Sequence, residues 1–173
     1  MQVTGNMIMR RIKRLRERAD RKLKTYEASL TFLSTDSLKE KPQEIIDKYE
    51  AIERKIAALQ ELQSHYNLAV TVVVQGERLT LEQVAKLKGT VNTIASKWNA
   101  AVNTDPTALT RYELMAMRQG ETSVEIPQRV VPMKEAETQY EAAKDRVDAF
   151  SDAIMAGNSI ALDLTVLENL FGD

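Results

Sequence analysis

Apolar residues recur at alternating steps of three and four positions in four long segments, and this heptad-like spacing limits the fold more than any other feature. The segments cover about residues 7–33, 42–67, 80–102 and 132–157. The last one shows the pattern most regularly, at Ala136, Tyr140, Ala143, Val147, Phe150 and Ile154. A narrow apolar stripe on a helix buries against one or two neighbouring helices rather than against a large core. We therefore expect a mainly α fold of long antiparallel helical hairpins, completed by other subunits.

The stretch TVVVQGERLTLEQ, residues 71–83, interrupts the helical pattern. The valines between positions 70 and 74 are β-branched and favour a strand. Gly76 permits a turn, and Thr80 followed by Gln83 is typical of a helix start. The stretch predicts a strand and a corner, and it leaves open whether the strand pairs within the chain or with another subunit. With one glycine, it does not match a phosphate-binding loop.

Residues 111–131 are predicted to form a β-hairpin, because apolar and polar residues alternate on both sides of the sequence QGE. The chain, residues 1–173, then reads as a single domain with four parts. These parts are a helical hairpin with a basic first helix (1–70), a strand, turn and third helix (71–110), the β-hairpin (111–131), and the last long helix with a short amphipathic tail (132–173).

Several classes of chemistry are excluded or disfavoured by composition. The chain has no cysteine, which rules out disulfides, thiolate catalysis and iron–sulfur clusters, and it has one histidine. We see no nucleophile signature and no metal-ligand spacing, so we expect no enzymatic activity, no metal and no cofactor. There is no apolar run that could span a bilayer and no signal-peptide core. We expect a cytoplasmic protein, in the host cytoplasm if it is phage-encoded.

A polar corner at the end of the second helix is the best candidate for a small-ligand site. N–H groups at a helix N-terminus near Thr80 can receive an anion, and basic side chains could line a groove at a subunit junction. The candidate ligand-binding residues are His65, Tyr66, Asn67, Arg78, Lys86, Arg111 and Arg118. The alternative interpretation is structural: a satisfied or exposed histidine, surface arginines, and a strand that only turns the chain.

The first helix is strongly basic. Residues 1–24 contain nine Lys or Arg and two acidic residues, whereas residues 40–62 contain six acidic and four basic residues. One interpretation is a solvated helix face that pairs with the acidic second helix. The other is nucleic-acid binding. The residues that would carry it are Arg10, Arg11, Arg14, Arg18 and Arg21.

The order of elements resembles the septicolysin-like family of small bacterial and phage proteins. The resemblance covers roughly residues 7–165 and is carried by HYNLAV, GERLTLEQVAKLK, RYELMAM and VDAFSDAIMAGN. It implies a mainly helical fold with a β-hairpin and self-association. The chain departs from the family pattern at Lys86 and Lys88, where an Arg-Asp pair is usual, and at Ser159 and Ile160, where a Trp follows the final Asn.

Three functions remain open on the sequence alone. The first is a non-enzymatic homo-oligomer that binds a small anionic, nucleotide-type molecule at its subunit junctions, such as a phage protein that sequesters a host signal. The second is a structural or assembly protein, for example a virion or scaffold component, with no ligand. The third is a nucleic-acid binder that uses the basic first helix.

Overall fold

The computed structural model of the protein describes residues 1–30, 40–104, 115, 130–164 and 170–171. Its architecture is mainly α, which confirms the predicted fold class. The helices are α1 (Gly5–Ser29), α2 (Pro42–Ala69), α3 (Leu81–Asn103) and α4 (Met133–Gly157). The short strands are β1 (Gln2–Val3), β2 (Thr71–Val74), β3 (Glu77–Thr80) and β4 (Leu162–Asp163). The β-hairpin predicted at 111–131 lies outside the described residues, apart from single positions.

The chain forms two compact units. The first contains Met1–Val84 together with Ala153–Asp173, and the second contains Ala85–Asp152. None of the helices in the described ranges is both long enough and apolar enough to cross a membrane.

An antiparallel hairpin of α1 and α2 supplies the core of the first unit. Ile12 lies beside the C-terminal half of α2 at Gln60, whereas Leu15 lies beside Ile52, nearer its start. The helices meet along the predicted apolar stripes, and the buried residues are Ile8, Ile12, Leu15, Ala19, Ile52, Ile56, Leu59 and Tyr66. The stripe ends earlier than predicted, because α1 ends at Ser29 and Leu30 is 61 % exposed.

Helix starts follow local signals in the sequence. The Thr4 hydroxyl accepts the N–H of Met7 at the start of α1. Pro42 opens α2, where its missing N–H costs nothing. At α3 the predicted capping pair is confirmed: the Gln83 side chain accepts the Thr80 N–H at 2.9 Å, and the Thr80 hydroxyl accepts the Gln83 N–H at 3.2 Å.

The strand at 71–74 pairs within the chain, which settles the point that the sequence left open. β2 and β3 are antiparallel, with Val72 opposite Leu79 and Val73 opposite Arg78. The turn between them has positive φ at both central residues, 52° at Gln75 and 85° at Gly76. This geometry matches the twist of a two-residue hairpin, and glycine adopts it without strain.

A second, shorter ladder joins two distant parts of the first unit. β1 and β4 are antiparallel, with Gln2 opposite Asp163 and Val3 opposite Leu162. Val3 is fully buried and belongs to the same apolar cluster as the α1–α2 hairpin. The ladder therefore fixes the chain after α4 beside the start of α1.

Candidate functional site

Tyr66, predicted as a ligand-binding residue, is fully buried. Its hydroxyl lies 2.7 Å from the carbonyl oxygen of Gly157 and 2.6 Å from that of Ile160, so one proton is shared between two acceptors. The hydroxyl thereby caps the C-terminal end of α4, where helix carbonyls have no intrahelical partners, and the Gly157 carbonyl also accepts the Ile160 N–H at 3.1 Å. Tyr66 thus connects the end of α2 to the end of α4, and its hydroxyl proton is already donated to protein carbonyl groups.

Two glycines allow close approaches around Tyr66. A Cβ at Gly5 would collide with the Asn158 side chain and would lie 2.8 Å from Cε1 of Tyr66. Beside it, the Asn6 N–H donates to the Asn158 carbonyl oxygen at 3.1 Å. A Cβ at Gly157 would collide with Leu81. The side chains around Tyr66 are therefore closely packed against each other, at the place where the sequence suggested a ligand.

The neighbours of Tyr66 face other directions. His65 is exposed, and its Nε2 lies 3.9 Å from Oε1 of Glu61, one turn earlier on α2. Asn67 is half-buried. Successive helix residues are rotated by about 100°, so these three side chains do not converge on one point.

Arg78 is exposed on β3, and its guanidinium is held against the neighbouring strand. Its Nε and Nη2 each lie 3.3 Å from the hydroxyl oxygen of Thr71. The nearby start of α3 is largely occupied, since Leu81 N–H donates to the Val70 carbonyl oxygen at 3.0 Å and the Gln83 N–H is capped by Thr80. These N–H groups have protein acceptors in place of the anion that the sequence suggested.

The remaining candidates are Lys86, Arg111 and Arg118. Lys86 belongs to the second unit. Arg111 and Arg118 lie outside the described residues. The predicted seven-residue ligand site therefore remains a prediction.

Four of the basic side chains of α1, in contrast, are exposed on one side of the helix. Steps of four, four and three positions place them close together along the helix, outside the buried stripe, with Arg18 at the edge that faces α2. We name this set, Arg10, Arg14, Arg18 and Arg21, the basic row. Among the described residues, no carboxylate lies within ion-pair distance of any member. Arg11, at the edge of this face, is half-buried and its Nε donates to the Leu170 carbonyl oxygen at 3.0 Å.

Two grooves that are lined by described residues of α1 and α2 differ in charge. One has a volume of about 300 Å³ and contains four cationic side chains and one carboxylate. We name it the basic groove, and its charged residues are Arg18, Lys22, Lys48, Lys55 and Glu40. The groove on the other side is balanced, with two bases and two acids, which are Lys13, Arg16, Glu17 and Asp20.

Glu40 bridges the two helices inside the basic groove. Its carboxylate oxygens lie 2.8 Å from Nζ of Lys22 on α1 and 2.8 Å from Nζ of Lys48 on α2. These hydrogen bonds, first from Lys22 and then from Lys48, lower the pKa of Glu40 to about 2. The same contact raises the pKa of Lys48. One carboxylate cannot neutralise two ammonium groups, so the groove stays positive.

Sequence reasoning missed Lys48 and Lys55 as part of this surface. Their spacing of seven places them on one face of α2, but only the pairing of α1 with α2 shows that this face adjoins the basic row. No group of three His, Asp or Glu side chains that could hold a metal ion occurs among the described residues.

Comparison with known proteins shows a shared fold. No protein-family model and no curated protein sequence matches the chain. In structure, the chain is similar to a crystal structure of a functionally unknown conserved protein from Corynebacterium diphtheriae. The TM-score is 0.65 at 14 % sequence identity, and the alignment covers 94 % of this chain and 100 % of the other. The resemblance to the septicolysin-like family stays a prediction.

Proposed function

We propose that this protein is a non-enzymatic homo-oligomer that holds a small anionic molecule at its subunit junctions. The observation that carries self-association is the apolar stripe of α3. Val91 on this stripe is buried, whereas Leu87 is 41 % exposed and Ile94 is 38 % exposed. Large apolar side chains that repeat every seven residues on one helix face are the pattern by which helices pair.

Covering this stripe with another helix has a clear energetic benefit. Full burial of a leucine or isoleucine side chain contributes about 1.5–3 kcal/mol relative to full exposure. Leu87 and Ile94 would gain a part of this each in every subunit. In a symmetric dimer the same stripe meets itself, so each contact occurs twice.

Light scattering on the purified chain tests self-association. We expect a mass that is a multiple of 19.5 kDa. Replacing both exposed apolar residues, in L87Q/I94Q, should shift the mass to that of the monomer, since glutamine keeps helix propensity but removes apolar surface. The matched control is N92Q/S96Q, which changes two exposed residues on the other side of α3. A wild-type monomer, or an unchanged oligomer in L87Q/I94Q, would contradict the proposal.

Arg78 supports the ligand part of the proposal. Its guanidinium is exposed, and contact with the Thr71 hydroxyl fixes two of its nitrogen atoms while an arginine has five N–H donors. A guanidinium held in one orientation binds a carboxylate or phosphate with a smaller loss of side-chain entropy.

Mass spectrometry of the supernatant from denatured protein tests this part. We expect one anionic compound at a fixed ratio to the subunit, and its loss in R78Q but not in the control R54Q, where Arg54 pairs with Glu50 on the surface of α2. An oligomer that carries no compound would overturn the ligand part and would support the structural or assembly function instead.

A further inference from the structure

We infer that the basic row and the basic groove together form a docking surface for double-helical nucleic acid, contacted through its phosphate backbone and without sequence preference. This inference goes beyond the proposed function and does not depend on it. Its basis is the placement of cationic side chains from two helices on one side of the α1–α2 hairpin.

The first step is the geometry of the basic row. Arg21 follows Arg10 by eleven positions, which is about 16 Å along a helix at 1.5 Å per residue. The four guanidinium groups are exposed, and within the described residues none is paired with a carboxylate. Several positive charges along one helix complement a linear polyanion, and guanidinium groups can bind phosphate oxygens in pairs.

The second step is the charge contrast between the two grooves. The basic groove continues the row from Arg18 onto α2 at Lys48 and Lys55. With Glu40 as its one carboxylate, its four bases leave a formal charge of +3. The other groove has two bases and two acids, so its formal charge is zero. Solvation of the helix surface does not by itself account for an excess of positive charge on one side of the hairpin.

The third step favours double-helical nucleic acid over other anionic partners. A membrane-surface helix inserts its apolar face into the lipid, but the apolar face of α1 is buried against α2. Single-stranded nucleic acid is bound by stacking bases on aromatic rings. The one aromatic residue of α1 is Tyr26, which is half-buried. Backbone contact with a double helix requires neither feature.

Fluorescence anisotropy with a labelled mixed-sequence DNA duplex tests the inference. Four to five phosphate contacts predict that the logarithm of the binding constant falls with the logarithm of salt concentration at a slope of about −4, which is a loss of roughly 250-fold between 50 and 200 mM salt. A second duplex of unrelated sequence should bind equally well. Absence of binding at the lowest salt concentration would overturn the inference.

Two matched variants locate the surface. R14Q/R18Q removes two charges from the basic row and should weaken binding at low salt at least about tenfold, and flatten the salt slope by about 2. K13Q/R16Q removes two charges from the same helix on the side of the balanced groove and should leave the slope unchanged. Equal losses in both variants would show a general charge effect and would contradict the docking surface.

Competition identifies the class of polyanion. Unlabelled duplex should displace the labelled one, whereas a single strand of the same length should displace it more weakly. Stronger binding to vesicles containing phosphatidylserine than to the duplex would assign the surface to anionic lipid and reject the inference. Circular dichroism of each variant should show unchanged helix content, since glutamine and arginine have similar helix propensity.

Discussion

At the scale of single residues, adding one methyl group at Gly5 is expected to destabilise the fold. An added Cβ would collide with Asn158 and press on the buried ring of Tyr66. Because both neighbours are buried, we expect Gly5→Ala to lower the free energy of unfolding by about 1–3 kcal/mol, as in other overpacked sites. Chemical denaturation measures this value.

The matched control for this prediction is Gly89→Ala. Gly89 lies inside α3, and a Cβ there would have no atom within 4 Å among the described residues. Alanine in a helix interior is more favourable than glycine by about 0.5–1 kcal/mol, so this variant should be more stable than the wild type. A loss of stability at Gly89 equal to that at Gly5 would show that the collision is not the cause.

Tyr66 tests whether the corner is held by its hydroxyl or only by its ring. Tyr66→Phe keeps the ring but removes the donor that the carbonyl groups of Gly157 and Ile160 share, so the Ile160 carbonyl loses this hydrogen bond while the Gly157 carbonyl keeps the Ile160 N–H. We expect a loss of about 1–3 kcal/mol in the free energy of unfolding. Tyr49→Phe, at a half-buried position on α2, should change it by less than about 0.5 kcal/mol. Equal effects at both positions would argue against a structural role of the Tyr66 hydroxyl.

At the scale of helices, Glu40 makes the pairing of α1 with α2 sensitive to acid. Its folded-state pKa of about 2 is below the ordinary value of 4.5, so the charged form is favoured by folding. The stability it contributes is fully present above pH 4.5 and is lost as the pH falls through about 2. We expect the thermal midpoint of the wild type to exceed that of Glu40→Gln at neutral pH.

The pH profile separates this effect from a general loss of packing. The difference between wild type and Glu40→Gln should shrink between pH 4.5 and about 2 and vanish below it. It should also shrink at high salt, because exposed ion pairs are screened. A difference that is constant across this pH range would mean that the ion pairs do not contribute.

Elements that depend on neighbouring residues were predictable, and those that depend on distant residues were not. Two such features could be predicted because the residues that form them are only a few positions apart in the sequence. They are the apolar stripe of α1, at Ile8, Ile12 and Leu15, and the cap of α3, formed by Thr80 and Gln83. The bond from Tyr66 to Gly157 spans 91 positions, and nothing in either local sequence indicates the other. For the same reason, the sequence could identify the arginines of α1 but not the lysines of α2 beside them.

At the scale of the whole molecule, the basic row and the exposed apolar pair Leu87 and Ile94 belong to different helices. The basic row belongs to α1, whose apolar face is buried, whereas Leu87 and Ile94 expose apolar surface on α3. The residues proposed for self-association on α3 are therefore different from those of the basic row. Variants of the two helices should act independently: R14Q/R18Q should leave the oligomeric mass unchanged, and L87Q/I94Q should leave the charge of the α1 face unchanged.

Self-association also predicts that the thermal midpoint depends on protein concentration. An interface that binds the folded chain and not the unfolded chain stabilises it by mass action. For a dimer, a tenfold rise in concentration adds about 0.7 kcal/mol per subunit, which is a shift of about 1–3 °C for a chain of this size. L87Q/I94Q should lower the midpoint at high concentration and show no concentration dependence, whereas N92Q/S96Q should behave as the wild type does. If the wild-type midpoint is the same over a hundredfold range of concentration, the exposed stripe of α3 is not an interface between copies of the chain.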